Sequence, residues 1–235
     1  QIVVSGGPVV TTAPGTFTLT YNVSDAASNA AVPVTRTVNV VDQTPPVITL
    51  VGANPLVLTL GATFVDPGAT ALDNLDGDLS AQIVVSGGPV VTTAPGTFTL
   101  TYNVSDAALN AAVPVTRTVN VVDTTPPVIT LVGANPLVVA VGGTFADPGA
   151  TALDNVDGDL TAQIVVSGGP VVMTAPGSFT LTYNVSDAAL NAAVPVTRTV
   201  NVVDTTPPVI TLVGANPLVV AVGGTFADPG ATTPD

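Results

Sequence analysis

Thr97-Phe98-Thr99-Leu100-Thr101-Tyr102-Asn103-Val104 alternates apolar and polar residues without a break. In an extended chain successive side chains point to opposite faces. Phe98, Leu100, Tyr102 and Val104 therefore share one side, and Thr97, Thr99, Thr101 and Asn103 the other. Helical periodicity does not produce this order, so the stretch predicts a half-buried strand. Its neighbours read the same way: short runs of Val, Ile, Thr and Phe at 82–86, 90–93, 113–122, 128–132, 137–141 and 144–153, the last broken at Asp147-Pro148-Gly149. Turn signals recur about every ten residues, the spacing of an all-β sandwich.

The same stretch occurs at 16–23 and, with Ser178 for Thr97, at 178–185. Gln1-Ile2-Val3-Val4-Ser5-Gly6-Gly7-Pro8 returns at Gln82 and at Gln163, which sets an 81-residue period. Residues 1–81 and 82–162 differ at nine positions, Ser28/Leu109 and Leu75/Val156 among them, and residues 82–154 and 163–235 at four. A tandem array of one module follows. Pro-Pro at 45–46, 126–127 and 207–208 follows the longest Val-rich run. Two consecutive prolines fix φ and donate no backbone hydrogen bond, so each pair marks a stiff joint. The expected organisation is the C-terminal half of a module over residues 1–42, complete modules over 43–123 and 124–204, and an N-terminal half over 205–235.

Composition narrows the chemistry. All 16 acidic residues are Asp, the only cations are Arg36, Arg117 and Arg198, and net charge is −13. Nucleic acid and anionic membranes both select a basic face, so neither is expected as a partner. No apolar run reaches the roughly 18 residues of a membrane helix, so no membrane insertion is expected in this segment. The chain holds no Glu, Lys, His, Cys or Trp, which removes the usual general acids and bases and any thiol or disulfide chemistry. An enzyme is not expected. No signal peptide precedes Gln1, so the chain reads as a segment of a longer precursor.

The motif order resembles a known group. Asp-x-Thr-Pro-Pro-Val-Ile-Thr-Leu-x-Gly, Gly-x-x-Phe-x-Asp-Pro-Gly-Ala and Asp-Asn-x-Asp-Gly-Asp-Leu form one half of the module. Pro-Gly-x-Phe-x-Leu-x-Tyr-x-Val-x-Asp-Ala-Ala-x-Asn and Arg-x-Val-x-Val-Val-Asp form the other. The chain is similar to bacterial immunoglobulin-like tandem repeats of the HYR-like group over nearly its whole length. That resemblance implies tandem seven-stranded immunoglobulin-like Greek-key sandwiches arranged as a rod, on the cell surface or outside the cell, usually as spacers or adhesion modules. Phe98 and Leu100 stand where immunoglobulin domains carry a tyrosine corner and a cysteine, so the core is expected to hold by packing alone.

One constellation carries evident chemistry. Asp73-Asn74-Leu75-Asp76-Gly77-Asp78 returns as Asp154-Asn155-Val156-Asp157-Gly158-Asp159. Three carboxylates within six residues repel by about 1 kcal/mol per pair at 4 Å in water. A hard cation with six to eight oxygen ligands relieves this, and Gly77 permits the sharp turn around it. In a sandwich, the loop at Asp106–Asn110 and the joint at Asp42 come to the same end as that turn. Asp42, Asp73, Asn74, Asp76, Asp78 and Asp106 are thus candidate ligands for Ca2+, as are Asp123, Asp154, Asn155, Asp157, Asp159 and Asp187. A solvated turn, with Asp capping backbone N–H groups, explains the same residues. Asp66 is expected to shape a turn, and the arginines to pair with a nearby Asp. Asn22, Asn103 and Asn184 match a glycosylation acceptor but lie on a strand, where hydrogen bonding is the preferred reading.

The expected function is a structural repeat of an extracellular filament, stalk or large adhesin. Neighbouring copies of the same module are its expected partners, with head-to-tail self-assembly through the split terminal halves as one form. A carbohydrate- or protein-binding accessory module of a secreted enzyme is the alternative, set back by the absence of Trp and the inward placement of Tyr21, Tyr102 and Tyr183.

Overall fold

Residues 96–103 form a strand whose apolar side is buried, and a second long strand, 115–122, pairs with it antiparallel. Both sit in the first of two compact units into which the chain divides, Gln1–Thr124, the second running from Thr125. The computed structural model describes residues 1–233.

In the first unit, β1 (Val3–Ser5), β2 (Gly15–Asn22) and β3 (Val34–Val40) make a three-stranded sheet. The full sandwich follows: β4 (Val47–Leu50), β5 (Leu56–Thr59), β6 (Ala69–Asp73), β7 (Gly77–Asp78), β8 (Val84–Ser86), β9 (Gly96–Asn103) and β10 (Val115–Val122). One sheet runs β4-β6-β7 and the other β5-β10-β9-β8. The pairing of β5 with β10 is parallel, which a hairpin cannot make; the chain between them crosses the sandwich instead.

Register follows from the alternation. Val119, Arg117 and Val115 lie opposite Phe98, Leu100 and Tyr102 on the inner face, while Thr118 faces Thr99 and Asn120 faces Thr97 outside. The outer pair Thr97 and Asn120 is hydrogen-bonded at 3.0 Å. Ile48 and Ala71 from one sheet meet Leu100, Tyr102, Val104 and Val119 from the other, with Leu79 and Ala112, in one core. Each such fully buried Val or Leu stabilises the fold by about 1.5–3 kcal/mol.

The second unit repeats the plan. Its strands are β11 (Val128–Leu131), β12 (Leu137–Ala140), β13 (Ala150–Asp154), β14 (Gly158–Asp159), β15 (Val165–Ser167), β16 (Gly177–Asn184) and β17 (Val196–Val203). The sheets are β11-β13-β14 and β12-β17-β16-β15, around a core centred on Ala152, Tyr183 and Val200. A small hairpin of β18 (Thr211–Leu212) and β19 (Ala231–Thr232) follows. Among the described residues the only helical turns are 3-10 turns at Ser80–Gln82 and Thr161–Gln163, and no helix is long and apolar enough to cross a membrane.

The all-β expectation holds, with three local corrections. Gln82 and Gln163 belong to 3-10 turns, so the strands expected from 82 begin at Val84. Residues 90–93 form no strand. Residues 144–149 form none either, and β13 starts only at Ala150. There Gly149 has φ +78°, and its N–H donates to the Asp147 carboxylate at 3.0 Å, so the chain turns before it can pair. Gly87 satisfies a different demand: a Cβ there would lie 2.1 Å from the Thr99 carbonyl oxygen.

Candidate metal centre

Three carboxylates of the first unit converge where β3 ends and the β6–β7 turn begins. Asp42, Asp73 and Asp76 each offer an oxygen within 4.8 Å of the others. Two oxygens bound to one Ca2+ at about 2.4 Å lie no more than about 4.8 Å apart, so the grouping fits a shared calcium ion. An open recess beside them is lined by Thr12, Pro14 and Val41 on one side and Asn74 and Leu75 on the other.

Local sequence builds each arm. The Asp73 carboxylate accepts N–H bonds from Leu75 at 2.7 Å and Asp76 at 2.9 Å, an Asx turn that closes on Gly77 with φ +74°. The N–H groups of Asp76 and Leu75 hold the Asp73 carboxyl below its ordinary pKa, so it stays ionised. The Asp42 carboxylate accepts from Thr44 N–H at 3.0 Å. In both residues that bond uses Oδ1. The second oxygen, Oδ2, is buried in each and has no hydrogen-bond partner. A buried anionic oxygen without a donor is costly, and a cation is the simplest group to compensate it. Arginine does not do so, because Arg117 is buried in the core and Arg36 lies over the Tyr21 ring. An all-oxygen set without His or Cys selects a hard cation over zinc or copper.

The remaining candidates divide. Asp76 Oδ2 accepts the Ala107 N–H at 2.8 Å, which brings the 106–110 loop to the same end of the sandwich. Asp106 is buried in that loop and holds its own hairpin, accepting from Asn110 N and Nδ2 at 2.7 Å each. Asp78 does not join the group: it caps the 3-10 turn, accepting from Ser80 N at 2.9 Å and Ser80 Oγ at 2.5 Å. Those bonds, the hydroxyl's first, lower its pKa. Asn74 lines the recess.

In the second unit Asp154 repeats the Asp73 turn, accepting from Val156 and Asp157, and its Oδ2 is again buried without a partner. Asp154 and Asp187 each offer an oxygen within 4.8 Å of the other. Asp187 is buried against Asn191, Asp157 accepts from Ala188 N–H, and Asp159 caps Thr161 as Asp78 caps Ser80. Asn155 follows Asp154 in its turn. Asp123 is buried at the end of the first unit.

Sequence reasoning missed a second polar constellation. Arg117 is fully buried, and its guanidinium donates to the carbonyls of Val51 at 2.6 Å and Gly68 at 2.9 Å, and to that of Ala53. Its Nε donates to the Tyr102 hydroxyl at 3.1 Å, which donates to Asp66 at 2.7 Å; Nε also lies 3.5 Å from that carboxylate. Arg198, Tyr183 and Asp147 repeat the set. The expected Arg–Asp pair exists, and Asp66 shapes its turn by accepting from Gly68 N–H. A core held by packing alone is therefore corrected: β10 is tied to the segments flanking β4 and β6 through three carbonyls and the Asp66 carboxylate. The signal was present, since alternation in Val115-Thr116-Arg117-Thr118-Val119 puts Arg117 on the inner face.

Comparison with known proteins bears on this architecture. The model of the family described as bacterial surface protein, Ig-like domain, matches residues 48–121 and 129–202. The chain belongs to this family. Its two matched copies are the two complete sandwiches, β4–β10 and β11–β17. Hyalin of Strongylocentrotus purpuratus is 35% identical over 214 residues, 84% of this chain and 17% of that protein. Hyalin of Lytechinus variegatus is 33% identical over 244 residues, 93% of this chain and 43% of that protein. The chain thus spans less than half of either relative. Among solved structures, a Bacteroides thetaiotaomicron lipoprotein aligns at TM-score 0.30 and 19% identity over 59% of this chain and 92% of that one. A titin I-band fragment aligns at 0.31 and 10% over 84% and 77%.

Proposed function

We propose that this chain is a structural repeat segment of an extracellular bacterial filament, stalk or large adhesin, and that Ca2+ bound at the joints stiffens it. Membership of a surface immunoglobulin-like family and three near-identical copies support a structural role, because an array gains reach from repetition. Neighbouring copies of the module are the partners such an array requires.

The observation that carries the calcium reading is the pair of buried, donor-less Oδ2 atoms of Asp42 and Asp73 beside Asp76. Asp42 ends one module, and Asp73 and Asp76 belong to the next, so an ion held by all three ties the joint. Asp42 and Asp73 would supply the buried oxygens and Asp76 the rim. Thermal unfolding in Ca2+ and in chelator tests this. The transition rises with Ca2+, and superimposable melts discard the metal.

A further inference from the structure

Side chains extend the pairing of β5 with β10 back along the chain. β5 runs parallel to the end of β10, from Leu56 opposite Val119 to Thr59 opposite Val122, and the Leu60 N–H donates to the Val122 carbonyl at 2.9 Å. Before β5, the Asn54 side chain takes the place of a strand. Its Nδ2 donates to the Thr116 carbonyl at 3.0 Å, and its Oδ1 accepts from the Thr118 N–H at 2.9 Å. Earlier still, the Arg117 guanidinium holds the carbonyls of Val51 and Ala53. It also holds that of Gly68, which accepts from the Val51 N–H at 3.0 Å. The second unit repeats the arrangement: Asn135 bridges Thr197 and Thr199, Arg198 holds Val132 and Ala134, and β12 runs parallel to β17.

Strand direction decides what this fastening does. The chain enters the first complete module before β4 and leaves it after Val122, where β10 ends. Tension along the chain therefore draws β10 from its C-terminal end and the segment 51–60 from its N-terminal end. Because β5 and β10 are parallel, the two pulls oppose each other along one strand axis, and all the bonds between them are loaded together. An antiparallel pair drawn apart from adjacent ends instead opens one bond at a time.

We propose that residues 51–60 and β10 form a latch loaded in shear, that each complete sandwich thereby carries tension along the chain, and that Arg117 and Asn54 set the latch's strength. Arg117 is fully buried, so water does not replace its bonds as they stretch, and breaking them leaves buried groups unsatisfied. Asn54 is exposed, and it fills the interval between the Arg117 bonds and the β5 ladder. The proposal rests on reading the chain as a structural repeat segment, and it names the load that each repeat bears. Arg198 and Asn135 do the same in the second unit.

The test is single-molecule pulling of the 235-residue chain, in chelator so that calcium plays no part. The chain holds no cysteine, so pairs of introduced cysteines choose where force is applied. Gln43→Cys with Thr124→Cys loads the first-unit latch in shear. Thr93→Cys with Thr124→Cys draws apart Gly96 and Val121, which lie opposite each other, and peels β9 from β10. Expected is a higher unfolding force in the first geometry than in the second. Asn54→Ala removes two hydrogen bonds, so it makes unfolding under constant load about tenfold faster in the first geometry and leaves the second unchanged. Being exposed, Asn54 is replaced without opening the core. Equal forces in the two geometries overturn the proposal, as does an Asn54→Ala effect of the same size in both. Failure of the calcium reading appears instead as melts insensitive to Ca2+, with the directional difference intact.

Discussion

Arg117 Nε donates to the Tyr102 hydroxyl at 3.1 Å, so the only cation of the complete first-unit module is held inside its core. Burying a guanidinium is unfavourable unless its donors are met. Here three carbonyls, one hydroxyl and the Asp66 carboxylate meet them. The network joins β9 and β10 to the chain segments flanking β4 and β6, so it couples the two sheets.

Tyr102→Phe removes the hydroxyl and leaves Asp66 and Arg117 Nε without their shared partner. Stability falls by about 1–3 kcal/mol, read from the denaturant midpoint of the first unit. Arg117→Ala costs about 3–5 kcal/mol, because it orphans carbonyls and opens a cavity. Equal midpoints for wild type and both variants contradict the tie.

Asp42→Asn combined with Asp73→Asn removes both donor-less oxygens' charge. The doubly substituted chain loses the first unit's share of its thermal response to Ca2+. At a Ca2+ concentration 100 times Kd, bound ion stabilises wild type by about 2.7 kcal/mol, which the variant no longer gains. Asp78→Asn, outside the group, retains the response. Loss in Asp78→Asn with retention in the double variant reverses the assignment.

Stability against pH has two edges. The Asp73 and Asp154 carboxyls are lowered by N–H bonds from Asp76 and Asp157, and Asp78 and Asp159 by the Ser80 and Thr161 hydroxyls. Their folded values lie below the unfolded value, so their contribution is present above about pH 4 and is lost as pH falls through the folded values. Burial first, then the bond to Asp66 or Asp147, raises the Tyr102 and Tyr183 hydroxyls. Their contribution is full below about pH 10 and is lost as pH rises past it. Denaturant midpoints are therefore flat near neutrality and fall at both extremes. Tyr102→Phe removes the Tyr102 share of the alkaline fall.

Leu109 has φ +68° and is 84% exposed, where the first copy carries Ser28 at φ +70°. A left-handed backbone is unfavourable for a bulky residue by about 1 kcal/mol, and nothing buries this side chain in return. Leu109→Gly raises stability by about that amount in equilibrium unfolding. A lower midpoint shows that Leu109 makes a stabilising contact.

Periodicity two in Thr97–Val104, the 81-residue repeat and the Pro-Pro joints were sufficient for an all-β sandwich array, because strand patterning and turn residues act locally. Local signals also gave the Asx turn at Asp73, whose donors are two and three residues away. They overextended the strands at 82 and 144, where a 3-10 turn and the Asp147 turn win over β propensity. The clustering of Asp42 with Asp73 followed from topology rather than spacing, and Asp78 defeated it because Ser80 was the nearer donor.

Sequence by itself determined which residues face inward, since alternation is a property of the extended backbone. That includes Arg117, whose inward position was there to be read. Only the tertiary structure decided what the inward residues meet. The carbonyl partners of Arg117 lie 49 to 66 residues away in the chain. Asp42 lies 31 residues before Asp73, and whether its second oxygen finds a donor depends on what surrounds it in the folded unit. Long-range polar partnering is set by packing two sheets together, and no local pattern encodes that distance.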